Sequence, residues 1–287
     1  MYETTTQENL PIGIFDSGVG GLTVLHALKN LLPAENLLYL GDTARLPYGT
    51  KSHDSVTRYA LQAADYLVQR GIKLLVVACN TASALALESL REHLAPLPVI
   101  GVVEPGAIAA VECSKSQHLL VLATEATTSQ LAYTRAILRL NPDAVIEEMP
   151  CSLFVALAEE GWHQGPVADV VAEQYLGLIR ERSADLRPDT AILGCTHFPL
   201  LQGPIAQALG PDIKIVDSAT TTAQAVQEEL VRLSLLTDAD GGGDLQLIAT
   251  DGPERFARVG SAFLGEKFAA EDIKLIDIHP TDLAVSG

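Results

Sequence analysis

The chain has 287 residues, of which 48% are apolar but only 5% aromatic, and its formal net charge is −17. That length exceeds one domain of roughly 100 to 150 residues and predicts two. The charge repels phosphate backbones and anionic lipid over a Debye length of about 8 to 10 Å, so neither nucleic acid nor a membrane is an expected partner.

The chain opens on a polar stretch, Met1 to Asn9, without the basic start and apolar centre of a signal peptide. No apolar run approaches the roughly 20 residues that span a bilayer. A cytoplasmic protein is expected. Short apolar runs then recur, each ending in a small or polar residue, and most lead into a stretch of helical period. They are Ile12 to Phe15, Asn36 to Leu40, Leu74 to Ala78 and Val99 to Val103, followed by His118 to Ala123, Ala144 to Met149, Thr190 to Gly194 and Lys214 to Val216. Helical pattern fills Leu22 to Leu32, Ser55 to Arg70, Ala82 to His93, Ser129 to Leu140, Val167 to Arg182 and Thr221 to Leu235. Beyond it come a further strand, Leu245 to Thr250, a helix from Pro253 to Leu264, and a last strand, Ile273 to Ile278. Gly241, Gly242 and Gly243 form a turn too short to link domains.

Four runs match four, and the third run of each set leads to a cysteine, Cys79 and Cys195. Strands buried on both faces and alternating with helices predict parallel sheets with right-handed crossovers. The expected fold is α/β, with two pseudo-symmetric doubly wound domains, mostly parallel sheets, and the active site in the cleft between them. Residues 1–103 form the first domain and 104–216 the second, and 217–287 return to complete the first.

In such sheets ligands bind beyond the carboxyl ends of the strands. The residues there are Asp16 and Ser17, Gly41 and Asp42, Cys79 to Thr81, Thr124 and Thr127, Cys195 to His197, and Asp217 and Ser218. The turn Gly18 to Gly21 invites a nucleotide reading, but a GxGxxG would need its third glycine at Thr23, and no P-loop lysine follows. A tight turn into a helix, able to hold a carboxylate on its amides, is the simpler account.

The four cysteines show neither a CxxC pair nor a zinc-ligand spacing, and reduced thiols are expected. Cys113 and Cys151 lie outside the matched strand ends and read as structural. Cys79 and Cys195 each open a helix, where thiol pKa values are depressed. One cysteine with His197 as base suits acyl transfer, but that uses only one half. A redox pair needs bonded sulfurs, whereas thiols flanking a substrate are too far apart. Inversion of a stereocentre gives both halves symmetric work: one thiolate removes a proton from one face and the other thiol returns one to the opposite face.

At these residues the chain resembles the glutamate racemases of the aspartate/glutamate racemase superfamily. The resemblance runs over IGIFDSGVGGL (12–22), YLGDTARLPYGTK (39–51), LVVACNTASA (75–84), GVVEPGA (101–107), ILGCTHFPLL (192–201) and IVDSAT (215–220), with a weaker echo over 250–264. It implies interconversion of L- and D-glutamate without metal, pyridoxal phosphate or other cofactor, serving peptidoglycan synthesis; a homodimer is one assembly it permits. No lysine stands at a motif position suited to a Schiff base. Cys79 matches the base that deprotonates D-glutamate and Cys195 the base for L-glutamate. Asp16 and His197 match their respective assistants, and Glu159, with Glu160 beside it, a further acidic one. Substrate contacts carried over are Asp16, Ser17, Tyr48, Gly49, Asn80, Thr81, Thr124, Thr127, Thr196 and His197. The segment 123–128 departs from the commoner form, with Ala126 where Gly precedes the second threonine.

Overall fold

The computed structural model describes residues 7–183, 186–238 and 241–278. The start of the polar N-terminal stretch and the end of the C-terminal return lie outside the described residues. The first half runs β1 (Ile12–Asp16), α1 (Leu22–Leu31), β2 (Leu37–Gly41), α2 (His53–Val68), β3 (Leu74–Val77), α3 (Asn80–Leu94) and β4 (Val99–Gly101). The second runs α4 (Val103–Cys113), β5 (His118–Ala123), α5 (Glu125–Ser129), α6 (Ala132–Leu140), β6 (Val145–Pro150), α7 (Leu153–Glu159), α8 (Pro166–Arg180), β7 (Thr190–Gly194), α9 (Gln202–Leu209) and β8 (Lys214–Asp217). The chain closes with α10 (Ser218–Leu233), β9 (Leu245–Ala249), α11 (Pro253–Leu264) and β10 (Ile273–Leu275).

Two all-parallel sheets result, ordered β10-β9-β2-β1-β3-β4 and β6-β5-β7-β8. The fold is α/β as expected. The repeat is visible in the topology, because β2-β1-β3-β4 and β6-β5-β7-β8 are one order at two places in the chain. In each, the connection reverses direction beside the first strand of the set, which leaves a crevice at the carboxyl ends of β1 and β3 and of β5 and β7. The returning β9 pairs with β2, and Gly243 lets it do so, since a side chain there would overlap the backbone carbonyl of Glu35.

The strands read as unbroken apolar runs because helices cover both faces: every residue of β1, β2, β3 and β7 is buried. Local signals fix the helix ends. Asp217 caps α10 by accepting from the amides of Ala219 (3.0 Å) and Thr220 (3.2 Å), an interaction worth about 1 kcal/mol. Gly252 and Pro253 start α11, and Gly265 stops it at φ 74°.

Several expectations need correcting. The fourth apolar run breaks at Gly101, and Val103 begins α4; the last strand ends at Leu275. Helices α4, α5, α7 and α9 were not anticipated. The α4 segment carries Pro105 and Gly106 and is otherwise alanine-rich and small, so it has no clear apolar stripe, while α5, α7 and α9 are too short for periodicity to reveal.

Candidate active site

The two crevices face each other across a cavity of about 190 Å³, below the roughly 300 to 1,000 Å³ of drug-sized ligand clefts. Cys79 and Cys195 both line it, and both are buried free thiols. Ser17, Tyr48, Gly49, Asn80, Thr81, Thr124, Glu159, Thr196 and His197 share the lining, whereas Asp16 and Thr127 lie behind it. Asp42, Asp217 and Ser218 are spent on structure. Asp42 accepts from Arg45, Tyr48 and Thr250, Asp217 caps α10, and the Ser218 hydroxyl donates to the Leu193 carbonyl.

On the first wall, β3 delivers Cys79 to the N-terminus of α3, where its sulfur accepts from the Ala82 amide at 3.5 Å and donates to Ser17 Oγ at 3.4 Å. Asp16, the last residue of β1, is buried and accepts from the Gly18 amide at 2.8 Å and from the Tyr39 hydroxyl at 3.4 Å. Burial lifts its carboxyl above the ordinary carboxylate range, against the pull of His197 and of backbone amides. The helix start does not lower the Cys79 pKa, as its position had implied. Burial pushes this thiol up to about 12, and the Asp16 charge adds to it, overriding the donation from Ser17 and Ala82.

The second wall is charged. Cys195 Sγ lies 3.8 Å from His197 Nδ1, and His197 Nε2 lies 3.1 Å from Glu159 Oε1. Burial opposes a charged ring here, but Cys195 and Glu159 outweigh it and hold the His197 pKa at about 10. Burial likewise opposes charge on Glu159, while His197 and Arg255 hold it down to about 2. Glu159 rather than Glu160 makes this contact. Cys151 is buried behind the cavity, and burial pushes its thiol up to about 12, in keeping with a structural role.

The remaining polar groups span the two walls. Thr81 Oγ1 lies 3.3 Å from Thr124 Oγ1, which lies 3.2 Å from Thr127 Oγ1, so Thr127 is linked to the cavity lining through Thr124 beside Ala126. Asn80 Oδ1 accepts from the Tyr133 hydroxyl at 2.8 Å, and its buried Nδ2 has no partner among the described residues, in a residue that lines the cavity. An unpaired buried donor costs about 1 to 3 kcal/mol, and an anionic ligand group would satisfy it. The Tyr48 hydroxyl donates to Asp42 at 2.5 Å, so its proton is already engaged within the first wall.

Leu46, Pro47, Thr50, Glu125, Ser152 and Val155 complete the walls together with Gly18 of the glycine turn, and these six were not singled out from sequence. The first three lie inside the segment 39–51, and Ser152 lies just past a strand end, so the signal existed. Arg255 gave none. Among the described residues no group of three or more His, Cys, Asp or Glu side chains is placed to hold a metal ion, and no helix is long and apolar enough to cross a membrane.

Residues 12–226 match the family profile described as Asp/Glu/Hydantoin racemase. The glutamate racemase of Geobacter metallireducens is 50% identical over 256 residues, covering 89% of this chain and 93% of that protein. The glutamate racemase of Francisella tularensis, solved in complex with D-glutamate, superposes with a TM-score of 0.86 at 34% identity, over 94% of this chain and 98% of that one. The enzyme of Thermus thermophilus, solved in complex with beta-chloro-D-alanine, gives 0.83 at 41% identity, over 94% and 98%. The chain belongs to the Asp/Glu/Hydantoin racemase family, and within it to the glutamate racemases.

Proposed function

We propose that the chain interconverts L- and D-glutamate by two-base proton transfer between Cys79 and Cys195, without a cofactor, and thereby supplies D-glutamate for peptidoglycan synthesis in the cytoplasm. The observation that carries this reading is the placement of two free thiols at the same position of two repeated sheets, on the walls of one small cavity. In the D-to-L direction the Cys79 thiolate takes the α-proton onto its sulfur, and the Cys195 thiol delivers its own proton to the opposite face of the same carbon. The L-to-D direction reverses both transfers.

A thiol held at about 12 by burial and by Asp16 needs a compensating charge to act as a base at neutral pH. The substrate ammonium group brings a positive charge into a buried cavity, where it favours the thiolate. Asp16, lifted by burial, is the neighbour suited to take the proton that Cys79 loses. His197, held as imidazolium, places positive charge beside Cys195. Asn80 Nδ2, the Thr81, Thr124 and Thr196 hydroxyls and the helix amides are the donors for the two carboxylates, and those on the α-carboxylate stabilise carbanion character at Cα.

Residues 1–103 and 104–216 form two domains in this reading, with 217–287 returning to the first, and a homodimer is the assembly to test. The deciding experiment follows purified protein with no added cofactor by circular dichroism, with L- or D-glutamate in D2O and aspartate in parallel. Decay of both glutamate signals with α-deuterium incorporation is expected; unchanged glutamate rotation sinks the proposal.

A further inference from the structure

The Glu159 carboxylate is held from both sides. Its Oε1 lies 3.1 Å from His197 Nε2, and its Oε2 accepts from Arg255 Nη2 at 2.8 Å. We infer that Arg255 is a positioning residue for the Cys195 half of the reaction, holding Glu159 so that Glu159 holds His197 against Cys195. The inference rests on the two-thiol reading above.

Three observations carry it. Arg255 sits in the first turn of α11, where a cation opposes the helix dipole, so helix stability does not account for its place. The α11 helix packs on α1 beside the first sheet, while α7 packs on the turn that follows Cys195, so the Arg255–Glu159 pair ties the C-terminal return to the opposite wall. The same helix reaches His197 a second time: the Phe263 ring meets the imidazole edge-on, with centroids 5.1 Å apart and planes at 78°. Among the described residues Cys79 has no counterpart of this chain of contacts: its hydrogen-bond partners there are Ser17 and the Ala82 amide. Loss of Arg255 is therefore felt mainly on the Cys195 wall, where the contacts are direct, and reaches the Cys79 wall only through the charge interaction of His197 with Asp16.

The test uses the full chain in two single-thiol backgrounds and reads solvent-deuterium exchange at Cα. Adding Arg255→Ala to Cys79→Ser is expected to slow exchange of L-glutamate at least about ten-fold, as losses of supporting residues do. Adding it to Cys195→Ser leaves exchange of D-glutamate within about two-fold. Arg255→Lys restores most of the L-glutamate rate. Independently, the downfield Nε2–H proton signal of His197 exchanges with water faster in Arg255→Ala than in the parent, and less so in Arg255→Lys. Equal slowing on both walls, or an unaltered His197 signal, overturns the proposal. If neither single-thiol background exchanges at all, the two-thiol reading fails instead, and the His197 signal still decides the role of Arg255.

Discussion

Gly20 and His197 meet where the two sets of strand ends converge: a Cβ on Gly20 would lie 2.5 Å from both Cε1 and Nδ1 of the imidazole, and 2.5 Å from Thr196 Oγ1. The glycine turn that resembles a nucleotide loop is therefore a close-approach device between the halves. Gly20→Ala should fold, since the strain falls on side chains, but it displaces His197 from Cys195. A misplacement of about 1 Å can cost about 10²-fold in rate, so kcat should fall ten-fold or more while the thermal midpoint moves little. Parent-like kcat in that variant would show that the His197 position is not critical.

L- and D-glutamate have equal free energies in water, so kcat/KM must be the same in both directions for every variant. The difference between the thiols has to be read in exchange. Cys79→Ser and Cys195→Ser should each lose racemisation by about 10²- to 10⁴-fold, the usual worth of a positioned acid or base. Cys195→Ser should still exchange the α-proton of D-glutamate with solvent, and Cys79→Ser that of L-glutamate, each without inversion. The double variant should do neither. Proton NMR in D2O separates these outcomes, and full exchange by the double variant would remove both thiols from the mechanism.

Much of this site was legible because parallel strands buried on both faces announce their own ends. The residue after each apolar run is where a side chain can reach solvent or ligand, and Cys79, Thr124 and Cys195 were found that way. Electrostatics was not legible. A helix start argued for a low Cys79 pKa, but the sequence does not reveal that burial and Asp16 act on the same sulfur with larger effect and opposite sign. Arg255 was invisible for another reason: it reaches Glu159 from a segment 96 residues away, and a lone arginine in a first helical turn carries no pattern.

The Glu159–His197 pair makes stability depend on pH in two windows. The His197 pKa, about 10 in the folded chain against about 6.5 unfolded, is raised, so its contribution is full below about pH 6.5 and is lost as pH rises through about 10. Glu159 is depressed to about 2, so its contribution is present above about pH 4.3 and is lost as pH falls toward 2. The titratable groups facing His197 are Cys195, Glu159 and Asp16. His197→Gln keeps a hydrogen-bonding side chain but cannot charge. Its urea midpoint should lose the decline between about pH 6.5 and 10 that the parent shows; parallel curves for parent and variant would contradict the assignment.

Asp16 acts on Cys79 in two opposed ways, and one variant can separate them. As a buried negative charge it raises the thiol pKa and so lowers the thiolate fraction; in the proposed reaction it is also the acceptor of the Cys79 proton. Asp16→Asn removes the charge and the acceptor together. Alkylation of Cys79 by iodoacetamide at pH 8 without substrate should then be faster than in the parent, because a larger fraction is thiolate. Racemisation should nevertheless fall, by about 10²-fold or more, because the proton acceptor is gone. Peptide-resolved mass spectrometry in a Cys113→Ser background reads Cys79 apart from the more accessible Cys113. An unchanged alkylation rate would mean that Asp16 is already neutral beside the thiol, and slower alkylation would mean that its charge supports the thiolate, reversing the sign argued here.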